Sequence, residues 1–300
     1  MSGTASISLL MIIFWNSVLI AQTWQSSRVR MDDLGKLTYA IDAESNRIPD
    51  FSYAGYRNGE VDIPDIDIVQ IISPVAGDNT AHIQNALDAI GSREPDVNGF
   101  RGALYLNAGE YEISGTLYIR HSGIVLRGNG DNPDPSSNTI LKATGNSPFH
   151  RTVLIAGGGN STSWRDEVEN TRRDIVSDFV PVGSRSFVVE DASPFRVGDN
   201  IIIYHPCTSQ WLQAVKYGGT HGDPPWAVGE EPLIFNRYIK SISGNEITID
   251  APIFNHLNRS LSQTYIYKYR RDGILTNIGI EDLRIDIAAI DGSEWRDRQR

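Results

Sequence analysis

Three charged residues near the end of the chain are spaced for chemistry at a strand surface: Asp282, Arg284 and Asp286 alternate with Leu283, Ile285 and Ile287. Successive side chains of a strand point to opposite faces, so this alternation predicts the apolar three turned inward and the charged three sharing an outer face. Two carboxylates so placed could bind Ca²⁺ or divide acid and base roles, and the Arg284 guanidinium could meet an anionic group. The plainer alternative is a solvated strand face with a cross-paired arginine. A second group is aromatic. Tyr217 and Trp226 lie in the stretch KYGGTHGDPPW, with Trp211 just before it, and its glycines and prolines could hold flat rings toward solvent, where they would meet the hydrogens of a pyranose. The alternative for these rings is the core of a small insertion.

Other residue types point away from familiar chemistries. The six histidines are scattered, with no pair at the i, i+4 spacing of helical metal ligands, which argues against a zinc enzyme. The single cysteine, Cys207, has no internal disulfide partner and reads as a small buried apolar residue rather than a thiol nucleophile served by His205. The runs RGNG and GGGN lack the Lys-Ser/Thr of a phosphate cradle.

The elements that must position these groups begin with a short helix. Ile83, Ala86, Leu87 and Ile90 fall at i, i+3, i+4 and i+7 and predict an amphipathic helix over residues 80–91. Asp78, Asn79 and Thr80 offer side-chain oxygens to its first amides, and Gly91 offers a left-handed residue past its end. The runs that follow, Leu104–Leu106, Tyr111–Ile113, Leu117–Ile119 and Ile124–Leu126, are only three residues long and are separated by Gly, Asn and Ser. Strands so short suit a parallel β-helix, in which coils of roughly 20–25 residues bury their inner faces only against one another. The helix would plug the open apolar end. An ordinary helix packed on an antiparallel sheet is the alternative.

The run GDNTAHIQNALDAI, followed by GALYLNAGEYEISGTLYI and SGIVLRGNG, resembles the start of the pectate-lyase-like single-stranded right-handed β-helix superfamily. Asp78, Thr80, Ile83, Gln84, Ala86, Gly109, Tyr111, Arg127, Gly128 and Gly130 occupy matching positions. The lead-in NRIPDFSYAGYRNGEVDIP looks like that of secreted bacterial members, and the match covers about residues 46–156. The resemblance implies an all-β fold: a pectin-lyase-like right-handed parallel β-helix with an N-terminal capping helix and an inserted antiparallel β module. It also implies an outer-face active site on a middle coil, holding Ca²⁺ and an Arg or Lys base in lyases or a group of aspartates in hydrolases. Those coils would mostly lie beyond Arg300, so the chain reads as an N-terminal fragment.

In chain order, residues 1–21 read as a secretory signal, charge-free apart from the amino terminus, with cleavage near Ala21 and an uncleaved anchor as alternative. Residues 22–75 form a lead-in, and 76–159 the helix and first coils. Residues 160–270 form an inserted module with longer strands and a hairpin turn at Ser243-Gly244-Asn245. Residues 271–300 resume the coil. At 40% hydrophobic and 21% charged, the composition is that of a globular chain, and a net charge of −10 argues against general nucleic-acid binding. The expected function is a secreted, periplasmic or cell-surface polysaccharide lyase or glycoside hydrolase. Its partner would be polysaccharide, including acidic polysaccharide, with no nucleic acid and no membrane after signal cleavage. A non-catalytic carbohydrate-binding or adhesive β-helix is the rival reading.

Overall fold

The computed structural model describes residues 26–144, 152–157, 163–217 and 224–288. The signal-like segment lies outside them. Among the described residues no helix is long and apolar enough to cross a membrane.

The lead-in opens with an antiparallel pair, β1 (Val29–Met31) and β2 (Leu37–Tyr39), passes through two short 3-10 turns at Phe51–Tyr53 and Tyr56–Gly59, and enters β3 (Ile68–Ile72). Helix α1 (Thr80–Gly91) follows, with Ile83, Ala86, Leu87 and Ile90 buried as the periodicity predicts. Its ends differ in detail from expectation. Asn79 makes no side-chain cap; its amide instead braces the preceding turn through Val75 and Gly77. Asp78 takes over, accepting from the Thr80 amide at 3.0 Å and from the Ser114 amide at 3.1 Å, so one carboxylate fastens the helix to the sheet beneath it. Hydrogen bonds from Ser114 and Thr80 hold that carboxyl well below the usual carboxylate range. Gly91 lies inside the helix rather than in a left-handed cap. It is small because a Cβ there would stand 2.5 Å from the His121 ring.

Six short strands come next: β4 (Gly102–Leu106), β5 (Gly109–Ile113), β6 (Leu117–Ile119), β7 (Ile124–Arg127), β8 (Thr139–Ala143) and β9 (Leu154–Ala156). They do not pair with their sequence neighbours. β4 pairs with β7, β5 with β8 and β6 with β9, every pair parallel, so the chain visits three sheets in rotation and then repeats the circuit. The register stacks like on like: Leu104 lies beside Leu126 and Tyr111 beside Leu141. These residues, with Ile113, Leu117 and Ile119, form one core that α1 covers at its end. Tyr111 is fully buried, yet its hydroxyl donates to the carbonyls of Ile72 and Asn107, which satisfies the polar end of an otherwise apolar ring.

Residues 173–268 depart from the circuit. Strands β10 (Arg173–Asp174), β11 (Phe179–Val180), β12 (Ser186–Val188), β13 (Asn200–His205), β14 (Leu233–Ser243), β15 (Glu246–Ile249), β16 (Leu257–Asn258) and β17 (Tyr265–Lys268) all pair antiparallel. Six of them form one sheet in the order β10-β17-β13-β14-β15-β12. One face of it carries a second core built from Ile201, Ile203, Phe235, Ile247, Ile249 and Ile266. A short helix, α2 (Ser209–Ala214), is capped by the Thr208 hydroxyl. The chain then returns to the parallel sheets, where β18 (Gly279–Glu281) pairs with β7 and β19 (Arg284–Ile287) with β8.

The lead-in ties the two units together. Arg47 and Asn46 bond to residues 182 and 183, and Phe51 stacks on Phe254 at 5.7 Å. Asn58 donates to Asp250, and Glu60 pairs with Lys240. Further on, the Arg127 guanidinium sits between Asp65 at 2.8 Å and Glu281 at 2.7 Å and also donates to the Ile66 carbonyl.

Candidate functional site

The structure separates the three charged residues at 282–286. Asp282 is not on a strand: it adopts φ 53° at the corner between β18 and β19, and its carbonyl accepts from the Gly130 amide at 2.8 Å. A corner between two sheets needs a residue that tolerates the left-handed region, and aspartate is among the few that do. Arg284 and Asp286 do share one face of β19, and Ile285 and Ile287 sit in register beside Leu141 and Ala143, but both isoleucines are exposed, at 44% and 78%, rather than buried as the alternation predicts. The two charged groups are occupied with each other, Arg284 Nε donating to Asp286 Oδ1 at 2.8 Å, and both are half exposed. Lys142 on the next strand is likewise paired, with Glu110. Among the described residues no group of three or more His, Cys, Asp or Glu side chains gathers closely enough to hold a metal ion.

The aromatic trio also divides. Trp211 is only 6% exposed and belongs to a small cluster with Cys207 and Leu212. It faces the interior because α2 turns it against β13, where its ring meets His205 edge-on at 5.5 Å. Tyr217 packs partly on that cluster, and its ring lies 6.3 Å from Trp226, which is 44% exposed. Of the three rings, Trp226 is the one turned to solvent. Cys207 is buried, its thiol directed at the Ala227 carbonyl. His205 is buried with neither ring nitrogen bonded, and burial pushes its pKa down to about 4, so the ring is neutral.

The most developed constellation joins residues from three separate segments. On the face of the six-stranded sheet opposite its core, Tyr204 of β13 lies directly across from Tyr265 of β17, with their rings stacked at 5.1 Å. Trp164, from the loop before β10, extends the row: its ring is 5.9 Å from Tyr204. Guanidinium groups close both ends, Arg165 over Trp164 at 4.2 Å and Arg172 over Tyr265 at 4.4 Å. Arg172 is fixed there by Glu167, whose carboxylate receives its Nε and Nη2 together. Behind the row, Tyr267 and Tyr269 are buried, and the Tyr267 hydroxyl donates to the Trp164 carbonyl, which anchors the loop. Burial raises the Tyr265 and Tyr267 hydroxyls above the usual phenol range, so both stay protonated donors at neutral pH.

The row Trp164–Tyr204–Tyr265 is half buried, rigid and rimmed by one carboxylate and two guanidiniums. It offers apolar ring surface beside groups that donate and accept hydrogen bonds. Glu167 is held by Arg172. The sequence carried a signal for it, the alternation Tyr265-Ile266-Tyr267-Lys268-Tyr269, which sets three tyrosines on one strand face.

No protein family's sequence pattern matches the chain, and no curated protein matches it. Solved structures similar to it include three phage tailspikes. One is the Gp54 tailspike of Acinetobacter baumannii bacteriophage AP22, solved in complex with A. baumannii capsular saccharide, at 15% identity over 69% of this chain and a TM-score of 0.34. Another is the tailspike gp61 of Pseudomonas phage phi297, at 16% identity over 71% of this chain and a TM-score of 0.33. The third is the tailspike gp49 of Pseudomonas phage LKA1, at 19% identity over 67% of this chain and a TM-score of 0.34. The chain spans 29%, 28% and 27% of those three proteins, in the same order.

Proposed function

We propose that this chain is a polysaccharide-binding, right-handed parallel β-helix protein, exported from the cell that makes it and allied to the polysaccharide lyases and glycoside hydrolases. Support for the coil comes from the rotation through three parallel sheets, together with the right-handedness that parallel strand connections almost always adopt. The observation that carries the binding reading is the stacked row Trp164–Tyr204–Tyr265 with a guanidinium at each end. Its rings supply the apolar contact and its rim the polar one.

The rival, a non-catalytic carbohydrate-binding protein, is favoured by the way Arg284 and Asp286 neutralise each other while Asp282 faces a corner. A screen of neutral and anionic polysaccharides decides between them. Binding would be followed by affinity electrophoresis, and turnover by unsaturated product and by new reducing ends, with and without Ca²⁺. Binding together with either product supports the enzyme, and binding alone supports the rival. No retention by any polysaccharide would overturn the proposal.

A further inference from the structure

Where the lead-in leaves the antiparallel module and joins the parallel sheets, it encloses a cleft of about 620 Å³ against the segment that follows α1. That volume is within the range of about 300–1,000 Å³ usual for ligand sites. Its apolar lining includes the rings of Tyr56 and Phe100. Arg57, Arg93 and Arg101 also line it. Arg93 and Arg101 each have their Nε bonded to a backbone carbonyl, of Arg101 and Ser122 respectively. Two of the lining carboxylates are already occupied, Asp65 by Arg127 and Asp96 by the amides of Asn98 and Phe100. Asp62, Asp67 and Glu94 line it as well, so the rim carries both signs, with carboxylates in excess.

The wall carrying Arg57 is held under strain. Arg57 and Asn58 both lie in the left-handed region, at φ 42° and 61°, between two glycines of positive φ. Non-glycine residues pay roughly 1 kcal/mol or more each to stay there. The bond from Asn58 to Asp250 and the Glu60–Lys240 pair keep the turn in place, which leaves the Arg57 guanidinium 5.7 Å from the Tyr56 ring at the cleft.

We propose that this junction cleft is a second glycan site, distinct from the aromatic row, and that it takes a neutral sugar unit. A hydroxyl can accept from a guanidinium and donate to a carboxylate at once, so a neutral polyol satisfies both signs of the rim. A polyuronate would gain from one sign and lose to the other. The assignment rests on the reading of the chain as a polysaccharide binder.

The test is methyl NMR of the whole chain, observing Ile66 and Val69, which line the cleft, during titration with cellohexaose, xylohexaose, mannohexaose and hexagalacturonate. Saturable shifts at both residues with a neutral hexasaccharide are expected. Arg57→Gly, which keeps the backbone geometry, and Asp67→Asn should each weaken them about tenfold, the size of one charge-assisted hydrogen bond. Tyr265→Ala should leave these shifts unchanged. Shifts with hexagalacturonate alone, no shift with any of the four, or affinities indifferent to both cleft variants would overturn the proposal. Cleft shifts that persist while the aromatic row binds nothing would sink the row's role and leave the cleft standing.

Discussion

Acidification should unfold this protein earlier than its carboxylates alone would require, because of His205. Its ring is buried beside Trp211 with both nitrogens unpartnered, and its pKa is about 4 against 6.5 for an exposed histidine. The native state therefore binds fewer protons than the unfolded chain between those values. Stability contributed by the neutral ring is fully present above pH 6.5, falls as pH drops through that window and is gone below about 4. At 1.36 kcal/mol per unit, the depression is worth about 3 kcal/mol. The assay is urea unfolding at half-unit steps from pH 7.5 to 4, for the native sequence and for His205→Phe, which keeps a ring against Trp211. The native sequence should lose about 3 kcal/mol over the window, and the variant should lose most of that slope. Equal slopes in the two proteins would refute the reasoning.

Leu87→Asp should destabilise by several kcal/mol, since it sets an unpaired carboxylate on the stripe that seals the coil core; an unchanged thermal midpoint would contradict the capping role of α1. Gly128→Ala should cost about 1–3 kcal/mol, because its Cβ would stand 2.4 Å from the Asp282 carbonyl oxygen, where backbone and not a mobile side chain must give way. Calorimetry checks it. Arg284→Ala or Asp286→Ala should change stability by less than about 1 kcal/mol, as expected for an exposed ion pair. Loss of polysaccharide turnover in either variant would place catalysis on β19 after all.

Much of the parallel-sheet region was legible because each residue there answers to local geometry. The stripe from Ile83 to Ile90 marked the helix, and the matched residues prove to be contacts: Gln84 pairs with the Tyr118 backbone, Gly109 makes room for Pro74, and Gly130 makes room for Asn138. What misled was alternation read without its corners. Residues 280–287 look like one strand, yet Asp282 turns between two sheets, and no periodicity within eight residues distinguishes the two. Trp211 looked like a loop ring because its burial depends on α2 and β13 meeting. The tyrosine alternation marked one strand of the aromatic row, but the row's assembly was hidden for the same reason. Trp164, Tyr204 and Tyr265 are far apart in sequence, and only the β13–β17 register sets two of them side by side.

The central claim is that this row holds glycan. Its most direct test is the affinity of a retained polysaccharide for the double variant Tyr204→Ala, Tyr265→Ala, compared with the native sequence at equal folded fraction. Each ring should contribute on the order of 0.5–1.5 kcal/mol, so the double variant should bind about fivefold or more weakly. Unaltered affinity in a variant that remains folded would contradict the account.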